Sequence, residues 1–153
     1  MKRIFSVILL FILSNLMAQT TLIPDYRFER ALIDLGIDSD HTINGQILTS
    51  DALLVTQLEI STNALTNYPY PPFDEYEGRI HDLTGIEAFI NLERLEVHNT
   101  LIENLNTDNL VNLKYLDCTD NMLTSISVLN NPLLEYINVT SEGDVYPIND
   151  ISE

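Results

Sequence analysis

The stretch Leu113-Lys-Tyr-Leu-Asp-Cys-Thr-Asp-Asn-Met-Leu-Thr-Ser-Ile126 decides the fold, because its spacing of apolar residues recurs along the chain. Equivalent copies start at Leu92 and at Leu134, a step of 21 residues on either side. A fourth copy starts at Val55, 37 residues before the copy at Leu92, so an insertion interrupts the period there. No single coil of this length can bury its apolar edge alone, and the repeat therefore predicts stacked coils.

The shared pattern, L-x-x-L-x-L-x-x-N-x-L-x-x-L, separates core positions from surface positions. Alternate residues of each strand, such as Leu95 and Val97, are expected to point inward and become buried. Asn121 follows the strand, where an amide can satisfy backbone groups of adjacent coils, and Asn63 holds the same place in the first copy. Cys118 falls on an inward position, which predicts a buried apolar residue and not a reactive thiol.

Two segments resemble the extracellular leucine-rich repeat proteins of bacteria, of the internalin-like type. Ile80-His-Asp-Leu-Thr-Gly-Ile-Glu-Ala-Phe-Ile-Asn-Leu-Glu-Arg-Leu95 is similar to the repeat of that family. Ile23-Pro-Asp-Tyr-Arg-Phe-Glu-Arg-Ala-Leu-Ile-Asp-Leu-Gly36 resembles the N-terminal segment of secreted, Bacteroidetes-type members. The resemblance implies an α/β fold, namely a right-handed leucine-rich repeat solenoid with a parallel sheet on its concave face. It implies binding of a protein or another ligand, and no shared enzyme activity.

Residues 1–18 have the pattern of a secretory signal peptide. Lys2 and Arg3 form a basic start, an apolar run follows to Met17, and Ala18 stands before a polar stretch. The apolar run is shorter than the ~20 residues needed to span a bilayer, so we expect no transmembrane anchor after cleavage. The predicted location is therefore secreted, either extracellular or at the cell surface.

Three further parts are predicted after the signal peptide. Residues 19–54 form an N-terminal cap, residues 55–142 form the leucine-rich repeats with an insertion at 67–79, and residues 143–153 form a C-terminal tail. A solenoid needs its open end covered, which explains the cap.

A helix at about residues 25–35 is predicted within this cap. Phe28, Ala31, Leu32 and Leu35 fall on one helical face. Asp25 can cap the start of the helix, and Gly36 suits its C-terminal end.

The chain is strongly acidic, with 23 Asp and Glu against 7 Lys and Arg. Two of the seven bases lie within residues 1–18, so the remainder carries 23 acids and 5 bases, a formal charge of −18. This charge repels phosphate backbones and argues against nucleic acid as the main partner. Because Cys118 is the single cysteine, no internal disulfide and no thiolate metal site can form.

Motifs for catalysis are missing from the sequence. His41, His81 and His98 lack the spacing of metal ligands, and no G-x-S-x-G, Walker or dinucleotide-binding motif is present. His98 could meet Glu96 and Asp117 across the strands, but no nucleophile is expected beside it. We predict no enzyme activity, no cofactor and no metal site.

The candidate binding surface is the concave face of the predicted sheet. Stacking the four copies aligns outward residues in three rows, which are Gln57, Arg94, Tyr115 and Tyr136; Glu59, Glu96, Asp117 and Asn138; and Ser61, His98, Thr119 and Thr140. Parallel strands lie ~4.8 Å apart, so Glu96 and Asp117 would be like charges in near contact. Tyrosine and arginine are typical of recognition surfaces. The predicted site for a basic protein or a carbohydrate partner comprises Arg94, Glu96, His98, Tyr115, Asp117, Thr119, Tyr136 and Asn138. The alternative is a solvated acidic face without a ligand.

Two other segments have open interpretations. The insertion places Tyr68, Tyr70, Phe73 and Tyr76 among prolines, and it is either a functional loop or a cover for the coil edge. The segment 38–44 alternates oxygen-bearing side chains, as calcium loops require, but Thr49 stands where the closing bidentate ligand belongs. Calcium binding and a polar connector both remain open for this loop.

The favoured function is a secreted or cell-surface binding module that recognises a protein or glycan through the concave face. The alternative is a truncated or vestigial repeat fragment with a structural role only.

Overall fold

The computed structural model describes residues 19–61 and 78–140. The predicted signal peptide, the four aromatic residues of the insertion, Asn63 and the C-terminal tail lie outside the described residues. Within these two ranges the chain has a mixed α/β fold with few helices and with parallel strands. The division into cap, repeats and tail stays a prediction.

Four parallel strands form the larger sheet, which we call the front sheet. In spatial order these are β3 (Gln57–Ser61), β4 (Arg94–His98), β6 (Tyr115–Asp117) and β8 (Tyr136–Asn138). A smaller parallel pair, the back sheet, joins β5 (Asn104–Asn106) to β7 (Ser125–Ser127). The chain therefore alternates between the two sheets, from β4 through β5 to β6 and from β6 through β7 to β8.

The strand register follows the sequence period. Leu95 of β4 pairs with Leu116 of β6, and Leu116 pairs with Ile137 of β8, so each residue pairs with its equivalent in the next copy of the repeat. Leu58 of β3 pairs with Leu95, so the register is kept across the insertion as well. The first two predicted rows of outward residues are thus confirmed in the register, including the stacking of Glu59 beside Glu96.

The core lies between the two sheets and the N-terminal helix, because alternate strand residues point inward. Leu95, Val97 and Leu116 are fully buried, and Cys118 is buried as predicted. Ile137 is different: it pairs with Leu116 but remains 42% exposed, so the expected burial of this position is wrong. The reason is its place on β8, which is an outer strand of the front sheet among the described residues.

The predicted N-terminal helix is present as α1 (Tyr26–Asp34), and its caps form as expected. Asp25 accepts a hydrogen bond from the N–H of Arg27 at 2.8 Å. Gly36 adopts φ 71°, and Ile37 N–H reaches back to the carbonyl of Leu32 at 2.9 Å, which closes the helix in a Schellman motif.

One residue of the predicted helical face departs from the pattern. Leu35 is 50% exposed, because the helix ends at Asp34 and the chain then turns at Gly36. Ile37 packs against the core in its place.

The remaining elements tie α1 to the rest of the chain. Strand β1 (Thr20–Leu22) pairs antiparallel with β2 (Gln46–Leu48), and the short helix α2 (Thr49–Ala52) follows directly. A single turn of 3-10 helix spans Ile86–Ala88. Asp25 contributes a second connection, because its other carboxylate oxygen accepts hydrogen bonds from the N–H groups of residues 81 and 82.

Candidate functional site

The front face is the outward side of the front sheet, and a stack of planar groups is its main feature. The rings of Tyr115 and Tyr136 lie 4.3 Å apart with an angle of 6° between their planes. The guanidinium carbon of Arg94 lies 3.6 Å from the centre of the Tyr115 ring on this same row. Parallel register explains the stack, since it places equivalent side chains of neighbouring strands side by side.

The second row of the front face carries the predicted acidic groups. Glu96 pairs in register with Glu59 on one side and with Asp117 on the other. Like charges at this spacing repel, so cations nearby lower the cost of the row. Arg94 provides one of them, because its Nε donates a short hydrogen bond to Glu96 Oε1.

His98 connects the second row to the third. Its Nε2 lies 3.3 Å from Glu96 Oε2, and its Nδ1 lies 3.8 Å from Asp117 Oδ1 and 2.8 Å from Thr119 Oγ1. Thr119 thus places a hydroxyl group beside the imidazole, as expected from the third row of outward residues.

This hydroxyl–imidazole–carboxylate chain does not by itself make a catalytic site. A nucleophilic hydroxyl works together with N–H donors that stabilise the oxyanion formed by its attack. Near Thr119 these donors are already engaged, since its own N–H donates to Asp117 Oδ1 at 3.2 Å and the N–H of Asp120 donates to Thr140 O at 3.2 Å. The observed hydrogen bonds orient the side chains of the front face.

All eight predicted site residues lie on the front face. Arg94, Tyr115 and Tyr136 form the first row, and Glu96, Asp117 and Asn138 continue the second row in register. His98 pairs with Ser61 of β3, and its hydrogen bond to Thr119 connects the strands in the third row. Asn138 accepts the N–H of Thr140 at 3.3 Å, so its side chain is held at the end of β8.

The asparagine of the repeat, Asn121, binds the backbone next to the front strands. Asn121 is buried, and its Nδ2 donates to the carbonyls of Val97 at 2.7 Å, Cys118 at 2.8 Å and Thr119 at 3.2 Å. Its Oδ1 accepts from Thr100 N–H at 3.0 Å. These hydrogen bonds satisfy buried backbone groups and connect the segments that follow β4 and β6.

A second asparagine was not found by the sequence pattern. Asn131 follows β7 and is buried, and its Nδ2 donates to the carbonyls of Thr107 at 2.9 Å and Leu110 at 2.8 Å. The repeat carries no signal for it, because the position 21 residues earlier holds Leu110 and not an asparagine.

The loop with alternating oxygen side chains uses several of these oxygens internally. Asp40 Oδ1 accepts from Thr42 N–H at 2.7 Å, and Asp40 Oδ2 accepts from Asn44 Nδ2 at 2.8 Å. Thr49 is the first residue of α2 and lies away from these contacts in the hydroxyl pair with Thr21, at 2.9 Å. These contacts favour the polar connector over a calcium loop. No group of three or more His, Cys, Asp or Glu side chains is placed to hold a metal ion within residues 19–61 and 78–140.

Two buried carboxylates lie in or against this loop, Asp38 at its start and Glu29 on α1. Glu29 of α1 is fully buried, and its Oε1 accepts from the N–H groups of Asn44 at 2.8 Å, Gly45 at 2.9 Å and Gln46 at 3.2 Å. Asp38 is also fully buried, but only its Oδ1 has a partner among the described residues, the N–H of Asp40. Burial raises the pKa of Asp38, and the nearby carboxylates add to this effect, while the hydrogen bond from Asp40 opposes it.

No model of a known protein family matches the chain, and none of the curated proteins has a similar sequence. Within the described part of the chain, no helix is both long and apolar enough to cross a membrane.

Proposed function

We propose that the chain is a short leucine-rich repeat solenoid of the α/β class, exported by the signal peptide at 1–18, whose front face is the concave surface. The strand register supports the proposal, because it follows the sequence period and stacked coils place equivalent residues side by side. The alternation between front and back sheets supports it too, since each coil of such a solenoid contributes one strand to each side. The segment 19–54 then covers the first coil.

We further propose that the front face binds a partner protein that presents basic side chains. The observation that carries this proposal is the stack of Arg94, Tyr115 and Tyr136 beside the carboxylates of the second row. Tyr136 is 42% exposed and the Arg94 side chain is 40% exposed, so both are available for contact. Their geometry is already fixed by stacking, which reduces the entropy lost when a partner binds.

Charge favours a basic partner over an acidic one. Glu59, Glu96 and Asp117 form a continuous carboxylate row, and the chain after residue 18 carries a large negative charge. Complementary charge accelerates association and discriminates against acidic surfaces. A glycan partner could also stack on the tyrosines, and it is an outcome that the experiment distinguishes. No catalytic, metal-binding or cofactor-binding function is proposed.

The test compares capture of partners by the immobilised chain from Gln19 onward and by its variants. The double variant Tyr115→Ala/Tyr136→Ala removes the stack, and Tyr26→Ala is the matched control, because Tyr26 is an exposed tyrosine on α1 that also contacts an arginine. Proteins captured from the native surroundings are identified and then titrated singly, at low and high salt, and a glycan array is probed in parallel.

We expect the double variant to weaken binding at least about tenfold, since tyrosines at the centre of an interface each contribute more than about 1 kcal/mol. The control should bind like the wild type, and salt should weaken the wild-type complex. Equal affinity of wild type and double variant would reject the front face as the site. A chain that captures nothing and binds no glycan would favour the alternative, a repeat fragment with a structural role only.

A further inference from the structure

A groove on the back of the molecule forms a second candidate site, separate from the front face. It has a volume of about 470 Å³ and lies along the back sheet, between β5, β7 and the segment 82–87. This volume lies within the range of about 300–1,000 Å³ that is typical of small-molecule sites.

Three successive segments of the chain line this groove with the same polar–apolar–polar pattern. These are Asp82-Leu-Thr84, Asn104-Leu-Asn106 and Ser125-Ile-Ser127, and the central residue is buried in each. Asn104 pairs with Ser125 and Asn106 pairs with Ser127 in the parallel register. The outer side chains therefore form two rows of amide, hydroxyl and carboxylate groups that face the groove.

Part of this hydrogen-bonding capacity is already used. Asp82 Oδ1 accepts from Thr84, Asn104 Oδ1 accepts from Ser125 Oγ, and Asn106 Oδ1 accepts from the N–H of Asp108. Glu87, at the side of the groove, accepts the N–H of Gly85 with Oε2.

Other polar atoms of the same side chains are spare, which means that they make no hydrogen bond among the described residues. Among the described residues, no hydrogen bond engages the Nδ2 atoms of Asn104 and Asn106, Oδ2 of Asp82 or Oε1 of Glu87. The groove thus presents spare donors and spare acceptors within one surface.

This combination restricts the chemistry of a ligand. No Lys, Arg or His among the described residues lines the groove, so a phosphate, sulfate or carboxylate would meet two carboxylates without a cation. An ammonium group would use the acceptors alone and leave both amide donors without a partner. A hydroxyl group donates and accepts together, and a ligand with several hydroxyl groups would use both kinds of atom.

We propose that the back groove binds a neutral polyhydroxyl ligand, a short oligosaccharide. Asn104 and Asn106 donate to its hydroxyl oxygens, and Asp82 and Glu87 accept from its hydroxyl hydrogens. This proposal does not depend on the front face, because the two sites share no residue.

The test titrates the isotope-labelled chain with cellotriose, maltotriose, mannotriose and xylotriose, and follows backbone amide signals by NMR. We expect at least one trisaccharide to shift the signals of residues 82–87, 104–106 and 125–127. The double variant Asn104→Ala/Asn106→Ala removes both spare donors from exposed positions and should weaken binding at least about tenfold. Asn109→Ala is the matched control, because Asn109 is an exposed asparagine outside the groove lining, and it should bind the sugar unchanged.

A second variant separates a loss of sugar binding from a change of fold that the double alanine variant could cause. Asp82→Asn keeps an Oδ1 acceptor for Thr84 and converts the spare acceptor into a donor, so it should also weaken the sugar complex. Diaminobutane is the competing probe for a cation site. No shift with any trisaccharide, equal affinity in both groove variants, or stronger binding of diaminobutane than of every sugar would each overturn the proposal.

Discussion

Asn121 accepts the backbone N–H of Thr100 at 3.0 Å, across 21 residues of sequence. The threonine hydroxyl donates to the same oxygen, so the residues that follow β4 and β6 are joined directly. The asparagine amide then reaches three carbonyls, at Val97, Cys118 and Thr119. This contact links the end of one front strand to the end of the next.

We expect Asn121→Ala to destabilise the protein by ~1–3 kcal/mol, because it leaves buried backbone groups without hydrogen-bond partners. Urea unfolding measures this change as a lower midpoint. Asp120→Asn is the matched control, since Asp120 is exposed and has φ 57°, a conformation that asparagine tolerates. Equal midpoints for Asn121→Ala and the wild type would show that the amide does not stabilise the contact between these segments.

Leu116 and Ile137 occupy equivalent positions in register but differ in burial. Leu116→Ala should cost ~2–5 kcal/mol, because the side chain is fully buried and its removal leaves a cavity. Ile137→Ala should cost less, since that side chain is 42% exposed. Thermal unfolding of both variants tests the order, and an equal loss would mean that Ile137 is covered in solution.

Asp38 should make stability depend on pH. Burial raises its folded pKa above the ordinary value of 3.8, so the folded state holds the proton more tightly than the unfolded chain. The free energy of unfolding therefore falls as pH rises from 3.8 through the folded pKa, and the loss is complete above it.

Asp38→Asn removes this charge and keeps an oxygen to accept the N–H of Asp40. The variant should be more stable than the wild type at neutral pH, and the difference should shrink near pH 4, close to the usual Asp value. Urea unfolding at the two pH values measures it. A difference that does not change with pH would mean that the charge of Asp38 carries no cost in the folded state.

Cys118 should be chemically silent in the folded protein. Burial raises the pKa of its thiol to about 12, and the charge of Asp117 adds to this effect. The thiolate is the reactive form, so the folded chain should react slowly with a disulfide reagent at pH 8, and urea should restore a fast reaction. A fast reaction without urea would contradict the burial of the thiol.

The apolar period of the sequence was enough to predict the front sheet. Leu95 and Leu116 hold the same place in successive copies of the repeat, and this spacing alone gives their pairing and the rows of outward residues beside them. The helix at Tyr26–Asp34 was equally readable, because its caps and its apolar face are local features.

The sequence did not predict features that depend on where a helix or strand ends, or on a contact with a segment distant in the sequence. The exposure of Leu35 depends on where α1 stops, and the exposure of Ile137 depends on what lies beyond β8. The burial of Glu29 depends on its hydrogen bonds to the backbone N–H groups of residues 44–46, which are 15 to 17 residues away in the sequence.

The sequence by itself determined which residues are equivalent, because a periodic pattern of apolar residues specifies the side of the strand and the position in the repeat for each strand residue. Only the tertiary structure decided which equivalent side chains are in contact and which polar atoms have no hydrogen bond among the described residues. The stack of Arg94 on Tyr115 and the spare amide donors of Asn104 and Asn106 arise from distances of a few ångström between separate strands. Periodicity places such residues on neighbouring strands, but it assigns neither their rotamers nor their hydrogen-bond partners.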